Sequence, residues 1–341
     1  MARVRTFDHL DQLSDPQGLF EHADGTVRRL EHGYCTDDNA RLLVVASREP
    51  DEGAPGRLGR QALAFCLAAQ ATDGRIRNRL DHDGRWTDEP GTEDWWGRAL
   101  WGFGAAASHH DDPEVRAIAL RAFETSATCR SPWRRSMAFA ALGAADVLSV
   151  HRHHAGAHRL MVDAVERIGL PDPTDATDAT TWAWPEPRLA YANAALPEAL
   201  IAAGAALGDP RVLDAGLAML TWLVDLQTRD GHLSVVGVGG RGPTDTSPQF
   251  DQQPIEVAAI ADACWRAFTL TGDPDWSARV VLALDWFEGR NDSAAVMWDS
   301  HSGGGYDGLR ADGPNTNEGA ESTLAFVSTV QRARAARMVA A

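Results

Sequence analysis

Six short knots of acidic, amide and aromatic residues punctuate this chain, and most of its candidate chemistry lies in them. Thr36-Asp37-Asp38-Asn39-Ala40-Arg41 sets two adjacent carboxyls within one helical turn of an arginine. Thr92-Glu93-Asp94-Trp95-Trp96-Gly97-Arg98 follows two acids with two indoles. Asn315-Thr316-Asn317-Glu318-Gly319-Ala320-Glu321 places two glutamates three apart, hence on one helix face. Paired carboxyls can serve as acid and base in one reaction if their surroundings push their pKa values apart. A carboxyl beside indole is poorly solvated, which raises its pKa, whereas a helix N-terminus lowers it. Asp38, Glu93, Asp94, Glu318 and Glu321 are therefore the catalytic candidates, with Glu93 or Asp94 as acid and Glu321, Glu318 or Asp38 as base. Capping is the competing structural role for Thr36 or Asp37 and for Glu93 and Asp94. Adjacent helical residues diverge by about 100°, so at most one of Asp37 and Asp38 points into a cavity.

The other knots look built to hold a ligand. Phe250-Asp251-Gln252-Gln253-Pro254-Ile255-Glu256 mixes two acids with two neutral amides, a set suited to hydroxyl groups more than to a metal. Arg188-Leu189-Ala190-Tyr191-Ala192-Asn193 adds a phenol and an amide, and Pro132-Trp133-Arg134-Arg135 an indole. Tryptophan outnumbers tyrosine 12 to 3, and Trp95, Trp96, Trp133, Trp182 and Trp184 lie on or just before these knots. Indole faces stack on sugar C–H faces, although core packing is the commoner use of any one tryptophan. The expected binding set is Asp37, Arg41, Trp95, Trp96, Arg98, Tyr191, Asn193, Asp251, Gln252, Gln253, Glu256 and Asn317. A carbohydrate ligand fits it best.

Several classes of chemistry are excluded or disfavoured. All 32 basic residues are arginine, which rules out lysine Schiff bases, lysine-bound pyridoxal phosphate and a P-loop. The net charge of −16 argues against a nucleic-acid partner. Cys35, Cys66, Cys129 and Cys264 form no Cys-x-x-Cys pair, and Cys66 and Cys264 read as core residues. His154 and His158 have metal-ligand spacing but no carboxylate set nearby, so they read as part of a solvated histidine-rich loop. His22 and His32 lie upstream of the first knot, near an expected cavity mouth. No metal or other cofactor is expected. The first residues, Met1 to Asp8, lack the apolar stretch of a signal peptide, and no uncharged apolar run approaches a membrane span. The expected location is cytoplasmic.

Behind each knot the sequence turns apolar and small, as in Leu42-Leu43-Val44-Val45-Ala46. A helix apolar all round belongs in an interior. A second set of helices alternates with these. Asp112-Pro113, Asp209-Pro210 and Asp273-Pro274 each set an N-cap before proline at the first helical position. The segments that follow are amphipathic, as are those around Arg57–Gln70 and Ala157–Ile168, and Phe7–Leu13 is the sixth candidate. Gly208-Asp209-Pro210 recurs 64 residues on as Gly272-Asp273-Pro274. Inner and outer helices alternating six times predict one all-α domain, an (α/α)6 toroid spanning 1–341. Short β-hairpins are expected in rim loops such as Asp230–Val236 and Gly303–Asp307. A TIM barrel would need a β-branched strand before every helix, and most loops have none. Pro171–Thr181, the single low-complexity tract, reads as a surface loop, with a lid over the site as the alternative.

The strings Gly33-Tyr34-Cys35-Thr36-Asp37-Asp38-Asn39-Ala40-Arg41, Gly97-Arg98-Ala99-Leu100-Trp101, Phe250-Asp251-Gln252-Gln253-Pro254-Ile255-Glu256 and Gly319-Ala320-Glu321-Ser322-Thr323-Leu324-Ala325-Phe326 carry a resemblance. They resemble bacterial (α/α)6 proteins that stand alone or are fused to glycosyltransferases, a group similar in plan to the six-hairpin glycosidases. The resemblance spans Leu10 to Val330 and implies the fold and a carbohydrate class, without assigning any residue a role. The expectation is a glycoside hydrolase acting on a short oligosaccharide in a central pocket, inverting by analogy with six-hairpin enzymes. Two alternatives stand beside it. One is a non-catalytic glycan-binding domain that partners a glycosyltransferase. The other is a sugar epimerase or isomerase, which would want paired histidines that the inner helices are not expected to carry.

Overall fold

The computed structural model describes residues 7–170, 182–246 and 248–340. Pro171–Thr181, the expected loop or lid, lies outside the described residues. Contacts divide the chain into two compact units. Unit 1 runs to Arg167 and includes His301–Gly303 and Glu318–Ala320; unit 2 takes Ile168–Ser300, Gly304–Asn317 and the residues from Glu321 on.

Unit 1 contains α1 (Asp8–Leu13), α2 (Thr36–Ala46), α3 (Gly53–Ala69), α4 (Asp94–His109), α5 (Pro113–Ser126), α6 (Arg134–Val150) and most of α7 (Ala155–Ile168). Two small antiparallel pairs join them. In one, β1 (Ala23–Asp24) meets β2 (Val27–Arg28). In the other, β3 (Tyr34–Cys35) meets β4 (Arg79–Leu80), with Tyr34 opposite Leu80. Sequence reading did not expect β3 and β4. Their pairing delivers the chain straight into the head of α2, over a core of Phe20, Tyr34, Phe65 and Leu80.

Helices α2, α4 and α6 are buried along most of their lengths, as their all-round apolar sequences require. Helix α4 packs between the other two at backbone distance. A Cβ on Gly104 would stand 2.2 Å from the Gly143 carbonyl oxygen of α6, and one on Gly97 would stand 2.1 Å from that of Ser136. On the other side, a Cβ on Gly102 would come to 3.0 Å from the Ala40 carbonyl oxygen of α2. These glycines let the three helix heads converge.

Unit 2 contains α8 (Ala195–Leu207), α9 (Pro210–Leu226), α10 (Pro254–Thr271), α11 (Pro274–Phe287) and nearly all of α12 (Ala320–Ala340). Its rim hairpins are β5 (Thr228–Arg229) with β6 (His232–Leu233) and β7 (Gly308–Arg310) with β8 (Gly313–Asn315). Asp112, Asp209 and Asp273 cap α5, α9 and α11 through their side chains, with proline next, as expected. Gly208 and Gly272 end α8 and α10 in the left-handed conformation, at φ 67° and 70°. No described helix is long and apolar enough to cross a membrane.

Candidate active site

In unit 1 the two adjacent aspartates have different surroundings. The N-cap of α2 is neither Thr36 nor Asp37 but Cys35, whose sulfur accepts from the Asp38 N–H at 3.4 Å. Asp38 is enclosed, its side chain 3% exposed. One of its oxygens takes the Arg41 guanidinium at 2.5 Å and the other accepts from the Cys35 thiol at 3.1 Å. Burial, then the nearby carboxylates, push the Cys35 thiol well above its ordinary value, so it remains a protonated donor. Asp38 thus ties the start of α2 together instead of opening to a ligand.

Asp37 is the accessible member of the pair, with 22% of its side chain exposed. Its Oδ1 lies 3.1 Å from Nε of Arg98, and its Oδ2 accepts from the Asn78 amide at 3.3 Å. Arg98 is 2% exposed and lies with its guanidinium carbon 4.1 Å from the Phe139 ring centre, a cation–π contact. Asn78 also accepts from the Thr36 and Asp37 N–H groups, and its own N–H donates to Asp88. One amide therefore caps α2 from a distant loop and grips the carboxylate. Asp94 sits one turn before Arg98 on the same face of α4 and accepts from the Ser136 hydroxyl of α6 at 2.7 Å. Asp37, Asp94 and Arg98 form the most chemically competent group in unit 1. Its supports, Asn78, Ser136 and Phe139, were not singled out from sequence, where each looks ordinary.

Other expected residues are used structurally. Trp96 is 0% exposed, packed in the core, and cannot stack on a ligand. Trp95 is half-buried and donates from its indole to the Ile76 carbonyl. Glu93 is exposed, so the indoles do not enclose it as the desolvation argument required. Glu318 is buried: its carboxylate accepts from the Ser302 hydroxyl at 2.5 Å, and its carbonyl takes His9 Nε2 at 2.8 Å. His9, fully buried in α1, was not singled out from sequence. The His154 ring caps Ala157 at the start of α7 and reaches Glu124. His22 and His32 meet edge to face on the surface. The inner helices do carry one histidine, His109, but in the last turn of α4, paired with Asp146.

Glu21, Cys35 and Asp38 bring ligand atoms within 4.8 Å of one another, the one metal-compatible trio among the described residues. Arg79 and Arg41 already pair with Glu21 and Asp38, and a metal would have to displace both.

Unit 2 gathers a second set. Glu256, in the first turn of α10, is buried and accepts from the Ala192 and Asn193 N–H groups and the Asn193 amide. Its oxygens organise the 190–193 loop, so Glu256 and Asn193 act as scaffold to each other and not primarily as hydroxyl binders. Gln252 is fully buried, donating to Asp292 at 2.6 Å and accepting from Trp286, which also removes it from ligand contact. Burial raises the carboxyl of Asp251 despite Arg310, whose Nε lies 3.7 Å away, and Asp251 Oδ1 has no hydrogen-bond partner. Tyr191 and Gln253 line a cavity together with Glu256. Glu321 is half-buried in the first turn of α12. Asn317 accepts from the Asp307 N–H on its carbonyl, beside a Ser322–Asp307 hydrogen bond.

No family model matches this chain, and no curated protein matches it in sequence. Solved structures do match. A sugar epimerase from a ruminal bacterium superposes with a TM-score of 0.70 at 13% identity, over 96% of each chain. A D-mannose isomerase matches with a TM-score of 0.66 at 11% identity, over 98% of this chain and 97% of that one. An inactive variant of an alpha-1,6-mannanase from Salegentibacter, with two consecutive aspartates replaced, is in complex with alpha-1,6-mannotetrose. It matches with a TM-score of 0.63 at 12% identity, over 97% and 98% of the two chains. These matches show the fold class: all-α, (α/α)6, as in six-hairpin glycosidase-fold proteins.

Proposed function

We propose that this protein is a sugar-processing enzyme that hydrolyses a glycosidic bond in a short oligosaccharide, with Asp37 as base and Asp94 as acid. The observation that carries this is the accessible carboxylate of Asp37, held by buried Arg98 and by Asn78, beside a fully engaged Asp38. An arginine at contact distance keeps a carboxylate charged, the state needed to draw a proton from water. Asp94 would hand its proton to the glycosidic oxygen as the bond from that oxygen to the anomeric carbon breaks, freeing the leaving sugar as an alcohol, while Asp37 takes a proton from the water whose oxygen bonds to the anomeric carbon. In an inverting reaction the two carboxyls flank a water, roughly 6.5–9.5 Å apart.

The test is turnover of an oligosaccharide panel that includes alpha-1,6-linked mannosides. Asp37→Asn should lower kcat by about a hundredfold or more, the scale of losing a general base, with thermal stability unchanged. Binding without turnover in the unmodified protein would instead favour a glycan-binding domain that works beside a glycosyltransferase.

Epimerisation or isomerisation is the second reading, favoured by the likeness to a sugar epimerase and a D-mannose isomerase. The first turns of α2, α4, α6, α8, α10 and α12 carry no histidine, which weighs against histidine acid–base chemistry at those heads. Proton NMR in D2O separates the readings. Hydrolysis creates a new reducing end, whereas epimerisation exchanges a carbon-bound proton for deuterium.

A further inference from the structure

Unit 2 carries an open pocket of about 330 Å³ between the 188–191 segment, the 236–240 segment and the head of α10. That volume lies at the small end of ligand pockets, roughly 300–1,000 Å³. We infer that it binds a single neutral pyranose residue. This rests on the carbohydrate reading above for its ligand class, but not on the role of Asp37.

The lining selects such a ligand. Val238 offers apolar surface, exposed despite its β-branched apolar side chain. Gln253 presents an amide that makes no hydrogen bond among the described residues and does not cap its own helix. An amide offers donor and acceptor together, as a sugar hydroxyl needs. Charge is present but already answered. Arg188 donates to the Gly240 carbonyl at 3.1 Å and pairs with Asp245 at 3.1 Å. Glu256 is held by three N–H donors from residues 192 and 193. Arg188 thus has its charge balanced by Asp245 and Glu256 has its oxygens occupied, so neither charge calls for an oppositely charged ligand. Tyr191 stands on the loop that Glu256 fixes, so this wall is ordered before a ligand arrives, which lowers the cost of binding.

Gly239 provides the test. A Cβ there meets nothing within 4 Å and its backbone is not in the left-handed region, so a side chain can project into open space at the cavity wall. The full-length protein, Gly239→Leu, Gln253→Ala and Asp37→Asn are titrated calorimetrically with mannose, glucose, cellobiose and mannose 6-phosphate. At least one neutral sugar should bind the parent and Asp37→Asn alike. Gly239→Leu and Gln253→Ala should each weaken that binding by about tenfold or more, one filling the space and one removing a hydrogen bond. Unchanged affinity in both folded cavity variants, failure of every neutral sugar to bind, or tighter binding of mannose 6-phosphate than of mannose would overturn the inference. Retained turnover in Asp37→Asn would overturn only the catalytic assignment. Saccharide binding lost in the cavity variants of a protein that turns over no sugar would leave the inference standing.

Discussion

Asp37 and Asp38 differ by one position and lead opposite lives. Asp38 is sealed against Arg41 and the Cys35 thiol, while Asp37 meets solvent and is steadied by groups from α4 and a distant loop. The pair therefore splits into a carboxylate that holds the helix start and one available for chemistry. Substitution should separate these jobs. Asp38→Ala leaves Arg41 facing a vacated partner, and breaking one side of a buried ion pair costs about 3–5 kcal/mol. Chemical denaturation should register that loss for Asp38→Ala and little for Asp37→Asn. Equal stability of the two variants would mean that Asp38 is no more structural than its neighbour. Sequence located both carboxyls at once. It could not rank them, because the ranking is made by Asn78, 41 positions away, and by Arg98 and the ring under it.

At the scale of elements, the alternation of inner and outer helices was readable because its signals are local. Apolar runs and Asp-Pro starts act within a turn or two of themselves. The head of α2 shows the limit of this. Sequence offered Thr36 or Asp37 as cap, yet the sulfur of Cys35 and the amide of Asn78 do the work. The antiparallel pairing of Tyr34-Cys35 with Arg79-Leu80 brings Asn78 there, and two-residue strands leave no periodicity to read. The α4–α6 contact depends on glycines whose role sequence also leaves silent. Gly104→Ala would press a methyl against the Gly143 carbonyl oxygen, so the helices must separate. A loss of about 1–3 kcal/mol is expected for such overpacking, visible as a lowered melting temperature. An unshifted melting temperature would mean that the α4–α6 contact yields freely.

For the whole molecule, stability against pH should reveal carboxyls of opposite kinds. Asp292 is pushed up by burial, but hydrogen bonds from Ser234, His232 and Gln252 outweigh this and hold it below its usual range. Its folded pKa is depressed, so its contribution is present above the unfolded value, about 3.9, and is lost as pH falls through the folded one. Asp251 is raised by burial, so its contribution is present below the unfolded value and disappears as pH rises through the folded one. Asp292→Asn should therefore destabilise the protein at neutral pH and flatten the acid limb of the stability curve below about pH 4. Asp251→Asn should cost nothing at neutral pH or add stability. Denaturation midpoints measured from pH 3 to 8 check both, and a steeper acid limb in Asp292→Asn would contradict the network.

The sequence by itself determined the helical alternation, the Asp-Pro caps of α5, α9 and α11, the gathering of acids, amides and indoles at the helix heads and the absence of lysine chemistry. Each of these is set by composition or by neighbours a few positions apart. Tertiary structure decided which carboxyls are usable. Asp37 remains accessible, Asp38 is tied to Arg41, and the Glu318 carboxylate is buried on the Ser302 hydroxyl while its backbone carbonyl takes His9 from 309 positions away. Gln252 and Trp96 are withdrawn into the core. A carboxylate's chemistry depends on what desolvates it and what donates to it, and here those partners come from elsewhere in the chain.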